Sequence, residues 1–110
     1  LVSSAASDVY KRQIIGSADM SFFVNKKTYK EEIINAFKTF QSSQDYPILK
    51  ITNSPLVSMD YIGEEYSAIV DTRWLDVIND ELIKIVLWYD NEYGYCRNVI
   101  NQIKYINSLR

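Results

Sequence analysis

The segment Leu82-Ile83-Lys84-Ile85-Val86-Leu87-Trp88-Tyr89 constrains this chain more than any other. Alternation puts Ile83, Ile85, Leu87 and Tyr89 on one side and Leu82, Val86 and Trp88 on the other, with Lys84 the one charged interruption. A strand that is apolar on both sides has to be covered on both sides. Just before it, Asn79-Asp80 supplies a polar turn, across which Trp74 to Ile78 pairs as a hairpin partner. Helices of the same domain account for one covering layer. The second layer points to a missing domain or a partner subunit, because so short a chain has few elements left to provide it.

The rest of the pattern predicts an α+β fold, an antiparallel sheet with two packed helices in the order strand, helix, three or four strands, helix. Ser17 to Lys26 alternates as a strand with Met20, Phe22 and Val24 on one set. Thr28 and Glu31 have the spacing of a capping box at the start of a helix whose buried face reads Ile33, Ile34, Ala36, Phe37 and Phe40. That helix fades in Gln41-Ser42-Ser43-Gln44-Asp45, ahead of Pro47. Ile48 to Thr52 reads as a strand stopped by Asn53-Ser54-Pro55, Leu56 to Tyr61 as extended chain up to Gly63, and Ser67 to Asp71 as a further strand. After Tyr89, the cluster Asp90-Asn91-Glu92 suits a helix N-terminus, where unpaired amides favour acidic and amide side chains. Tyr95, Val99, Ile103 and Ile106 then form the apolar stripe of a final helix. At the other end, Ser3 to Gln13 resembles an in-frame translation of a transposase adapter used to fragment DNA for sequencing. Residues 1–13 are therefore expected to be disordered and foreign to a domain covering residues 14–110.

Composition excludes several functions. The single cysteine, Cys96, forms no internal disulfide, and a chain without histidine lacks the commonest metal ligand and acid–base group. A net charge of -2 gives no electrostatic footprint for nucleic acid, and no apolar run approaches the length of a membrane span.

The junction Trp88-Tyr89-Asp90-Asn91-Glu92-Tyr93-Gly94-Tyr95 resembles the C-terminal signature of the glyceraldehyde-3-phosphate dehydrogenase family. A second segment, Pro55 to Gly63 followed by Ser67-Ala68-Ile69-Val70-Asp71, matches the same family in order and separation. The resemblance implies the C-terminal portion of the catalytic domain of a phosphorylating aldehyde dehydrogenase, tetrameric and cytoplasmic when intact, with erythrose-4-phosphate dehydrogenase as the near alternative. It further implies that the N-terminal dinucleotide-binding domain, the nucleophilic cysteine and the histidine base all lie upstream. Asn91 matches the asparagine that binds nicotinamide, so NAD is the expected cofactor, with NADP left open. A carboxamide offers an acceptor and two donors, the complement of the nicotinamide carboxamide. Tyr95 falls where the family has a tyrosine beside the ring, and it equally fits the buried stripe of its helix. Glu92 reads as a helix-start residue and Cys96 as a small packing residue. Lys26-Lys27, Glu31-Glu32 and Glu64-Glu65 read as solvated surface. The chain departs from the family at Lys50, where glycine is common, at Trp74, and at Arg97-Asn98. There the basic residue comes one position early, about 100° around the helix. A reading from a different class is a self-standing α+β association module that pairs through its sheet face.

Overall fold

The computed structural model describes residues 15–110, so the adapter reading of residues 1–13 lies outside the described residues. In order the chain forms β1 (Ile15–Phe23), α1 (Lys30–Ser43), β2 (Leu49–Thr52), a 3-10 turn at Ser58–Tyr61, β3 (Ala68–Ile78), β4 (Leu82–Asp90) and α2 (Tyr93–Ser108). The four strands make one sheet in the order β1-β4-β3-β2, which puts the doubly apolar strand β4 in the interior. β1 runs antiparallel to it from Ile15 opposite Asp90 to Phe23 opposite Leu82.

The α+β class holds, with one change of detail. β2 pairs parallel to β3, so the sheet is mixed. The long connection over residues 53–67, which includes the 3-10 turn where extended chain is expected, permits this; a short hairpin does not. The two strand segments expected at 67–71 and 74–78 run as the single strand β3, with a break of register. Asp71 lies opposite Val86 and Asp76 opposite Lys84, so residues 72–75 bulge against a single position of β4. The bulge turns Leu75 into the core and leaves Trp74 exposed.

The β3–β4 turn forms at Asn79-Asp80, both in left-handed conformation with φ of 50° and 61°. Two such residues in a row match the twist of a tight hairpin. This turn also corrects the capping box. The Thr28 amide donates to the Asp80 carbonyl at 2.8 Å, so it is not available to the Glu31 carboxylate. α1 starts two residues later, flanked by Tyr29 and without a side-chain cap, and the Thr28 hydroxyl is buried unpaired among the described residues.

α1 lays Ile33, Ile34 and Phe37 over Val70, Leu75, Ile83 and Ile85, which form the main core. Phe40 and Ala36, expected on this face, are exposed. The helix ends at Ser43, within the expected stretch, and its glutamines take a second role. Gln41 Oε1 accepts from the Ile51 amide at 2.8 Å, and Gln44 accepts from the Leu49 amide at 2.9 Å while donating to its carbonyl at 2.7 Å. Side-chain amides thus close the free edge of β2, which would otherwise offer an unpaired ladder to another strand. The opposite side of β4 carries a smaller core of Ile15, Tyr61 and Ile69, with Leu56, Tyr66 and Trp88 packed on it. It covers only one end. Phe23, Trp74 and Ile78 are exposed.

α2 departs most from expectation. Its stripe of Tyr95, Val99, Ile103 and Ile106 faces outward, and the residues it buries are Gly94 and Asn101. The helix touches the sheet by its first turns, so the apolar stripe has no surface of this segment beneath it.

The turn gives a stability test. Asp80→Gly removes a left-handed cost of roughly 1–2 kcal/mol and adds roughly 0.5–1 kcal/mol of unfolded-chain entropy. Because the acceptor for Thr28 is a backbone carbonyl, it survives the change. The expected outcome is a raised thermal midpoint in the full-length protein, measured by calorimetry.

Candidate cofactor site

β4 ends at Asp90, a carboxylate only 4% exposed. Its Oδ1 accepts from the amides of Glu92 at 2.9 Å and Tyr93 at 2.8 Å, and its Oδ2 accepts from the Gly63 amide at 2.9 Å. The side chain that satisfies the free amides at the head of α2 is therefore Asp90. Glu92, read as the helix-start residue, flanks the helix and caps nothing. Burial pushes the Asp90 carboxyl up, but the Gly63, Tyr93 and Glu92 amides together outweigh it and hold the group below the ordinary carboxylate range. Gly94 follows because the first turn of α2 lies on the backbone before β3. A Cβ there would stand 2.9 Å from the Tyr66 carbonyl oxygen.

This junction presents Asn91 and Tyr95. Both are exposed, and both line one open hollow of about 240 Å³ together with Ser67, Tyr89, Asp90, Gly94 and Asn98. The Ser67 hydroxyl is buried at this hollow without a hydrogen-bond partner among the described residues. Tyr89 is held from the far side by Gly16, where a Cβ would meet its ring at 2.5 Å. Tyr95 is 71% exposed, so of its two readings the buried one does not describe this segment. Cys96 is also exposed, not packed, because the face of α2 that carries it is uncovered. It stands outside the hollow, beside Glu65, Tyr93, Arg97 and Ile100.

The neighbouring strand β3 carries a second buried carboxylate. Asp71 is wholly inaccessible; it accepts from Arg73 Nε at 2.9 Å, an Arg73 terminal nitrogen at 2.6 Å and Trp88 Nε1 at 3.1 Å. Burial raises its pKa, and the bonds from Arg73 and Trp88 lower it further than burial raises it. Trp88 stacks on Tyr61, with ring centres 5.3 Å apart and planes 10° from parallel. Burial, then the nearby Asp71 charge, raises the Tyr61 hydroxyl. Two acidic residues read as solvated surface turn out to be tied down. Glu64 pairs with Lys50 at 2.9 Å, and Lys50 lies over the Tyr66 ring at 5.5 Å. Glu65 meets Arg97 at 3.4 Å, an ionic contact without hydrogen-bond geometry. Among the described residues, no group of three or more His, Cys, Asp or Glu is placed to hold a metal ion, and no helix is long and apolar enough to cross a membrane.

With this geometry established, comparison with known proteins is decisive. The family model for the glyceraldehyde 3-phosphate dehydrogenase C-terminal domain matches residues 9–91. The chain belongs to that family. Similar relatives include the chloroplastic glyceraldehyde-3-phosphate dehydrogenase of Chondrus crispus, 39% identical over 87 residues that make up 79% of this chain and 21% of the relative. The glyceraldehyde-3-phosphate dehydrogenase of Chlamydia pneumoniae is 34% identical over 92 residues, 84% of this chain and 28% of the relative. That of Aspergillus niger is 34% identical over 95 residues, 86% of this chain and 28% of the relative. The chain thus spans about a fifth to a little over a quarter of the length of these dehydrogenases.

Sequence reasoning reached Asn91 and Tyr95 as candidates through the family motif and placed Asp90 in the cluster that starts α2, but it missed the bond from Asp90 to Gly63 and the role of Asp71. Asp71 carried a usable signal, as a carboxylate among Ile69, Val70 and Thr72 in a strand.

Both carboxylates sit below their ordinary range in the folded protein, so their contribution to stability is complete above the unfolded carboxylate pKa. It is lost as pH falls through the lower native values. Acid unfolding followed by tryptophan fluorescence is expected to begin only below the ordinary carboxylate range. Asp71→Asn should be less stable at neutral pH and lose less of its remaining stability on acidification.

Proposed function

We propose that this segment supplies the nicotinamide-orienting contact of a phosphorylating aldehyde dehydrogenase acting on glyceraldehyde 3-phosphate. The observation that carries the reading is the pairing of Asn91 and Tyr95 on one open hollow at the head of a helix, in a chain of this family. The hollow suits the carboxamide end of a nicotinamide in size, and its polar wall of Asn91, Asn98 and Ser67 offers both donors and acceptors. Asn91 fixes which ring face meets the substrate, and Tyr95 limits rotation by packing beside it. When bound, NAD accepts the hydride. Correct orientation of the ring is the whole of this segment's contribution to that transfer. NADP fits the same contacts, since the ribose is held elsewhere.

The covalent chemistry belongs to residues outside this chain, which has no histidine and whose one cysteine is away from the hollow. The exposed stripe of α2 is read as the seat of the dinucleotide-binding domain, and the uncovered sheet face with Phe23, Trp74 and Ile78 as a subunit contact of a homotetramer. A glycolytic role places the intact enzyme in the cytoplasm; several relatives carry chloroplastic names. Erythrose 4-phosphate remains the alternative substrate, separated by comparing kcat/KM for the two aldehydes.

In the full-length enzyme, Asn91→Ala is expected to lower kcat/KM for NAD roughly two- to twelvefold, the worth of ~0.5–1.5 kcal/mol for an ordinary hydrogen bond. Unchanged kcat and cofactor KM remove Asn91 from the site. Residues 1–110 alone are expected to reduce no NAD with glyceraldehyde 3-phosphate and phosphate, and measurable reduction by them overturns the assignment of the covalent machinery to the rest of the protein.

A further inference from the structure

The two oxygens of Asp90 hold different parts of the fold. Oδ1 gathers the amides of Glu92 and Tyr93 at the head of α2. Oδ2 reaches back to Gly63, which follows the 3-10 turn anchored by the Tyr61–Trp88 stack. Gly63 has φ of +83°, a conformation that side chains other than glycine's rarely adopt. Its amide donates directly to the buried carboxylate. Asn91 is the one residue between Asp90 and the amides that Asp90 binds, so a single carboxylate pins its backbone at both ends. The opposite register partner, Ile15, closes Asp90 from the β1 side.

We propose that Asp90 is a positioning residue for the cofactor site, holding Asn91 at the height the nicotinamide carboxamide requires, with Gly63 as its anchor on the body of the domain. The inference rests on the nicotinamide reading of Asn91. Asp90 touches neither substrate nor cofactor in this assignment and acts only through its neighbour. Asp90→Asn keeps the shape but exchanges one acceptor oxygen for a donor, so either the Gly63 amide or the α2 amides face an NH₂ group. A shift of Asn91 follows in either case.

The test is a double-mutant cycle in the full-length enzyme, with steady-state KM for NAD and for the aldehyde as readouts. Asp90→Asn is expected to raise the cofactor KM roughly three- to tenfold with the aldehyde KM unchanged, and to add less than about twofold beside Asn91→Ala. Should Asp90→Asn fail to fold, Asp90→Ser, whose hydroxyl still caps α2 but does not span to Gly63, takes its place in the cycle. An effect of the Asp90 variant that persists undiminished beside Asn91→Ala, or an unchanged cofactor KM, overturns the positioning role and leaves the Asn91 reading standing. An Asn91→Ala enzyme with unchanged kcat and cofactor KM overturns the nicotinamide reading and this inference with it.

Discussion

The structure turns on covering β4 from both sides. Ile83 and Ile85 commit one side to α1, and Trp88 commits the other to Tyr61. These two packings are made by different parts of the chain, one immediately after β1 and one in the crossover between β2 and β3. Pairing with β1 and β3 holds the strand in the middle of the sheet, and the two packings keep its faces dry. The junction that follows inherits that rigidity, because Asp90 is the last residue of β4 and remains in register with β1. A side chain presented from the end of a central strand has little freedom to wander, which suits a contact whose purpose is orientation.

Buried carboxylates appear twice along this wall and are stabilised in different ways. Asp71 is met by a guanidinium, an indole and the Arg73 amide two residues on, so a charge partner offsets its burial. Asp90 is met by three backbone amides, with no cation in the bonding set. The difference matters for their roles. The one amide on Asp71 comes from its own strand, whereas the amides on Asp90 come from two separate segments, the head of α2 and Gly63, and join them through one carboxylate. Asp71 thus braces the stack of Trp88 on Tyr61, while Asp90 determines where the chain goes next. Placing a carboxylate among amides at a helix start also uses the positive end of the α2 dipole, which is weaker than a full charge but fixed in direction.

What the residues disclosed before the fold was known follows physical lines. Patterns that depend on one strand and its neighbours were legible: the two apolar faces of β4, the turn at Asn79-Asp80, the existence of α1 and α2, and, through the family motif, Asn91 and Tyr95 as candidates. Features that depend on competition between local and distant partners were not. Thr28 and Glu31 have ideal capping spacing, yet the Thr28 amide is taken by Asp80, a residue 52 positions away. Gln41 and Gln44 mark the helix end as expected, but their second role, closing the edge of β2, depends on a distant partner. The parallel pairing of β2 could not be read because parallel and antiparallel strands of four residues share one pattern. The stripe of α2 was legible as apolar, and in this segment it is exposed. Periodicity reports that a face is meant to be covered, not which polypeptide covers it.

That last point bears on how the site works. α2 is held at its first turns, by Asp90 on its amides and by Gly94 against the Tyr66 backbone, while Ile103, Ile106 and Leu109 beyond them stand exposed. A helix held along one face, with Asn101 buried beside the start of β2, and apolar along the other divides two tasks. The held face sets Asn91 and Tyr95 relative to the sheet, and the exposed stripe presents a surface for whatever packs on it. Anything docking along Val99, Ile103 and Ile106 would approach on the same helix that bears Tyr95, so the second wall of the hollow and the cover of the stripe belong to one surface. Under the proposed reading of Asn91, docking and completion of the cofactor contact are a single event, with the geometry on this side set by the carboxylate of Asp90.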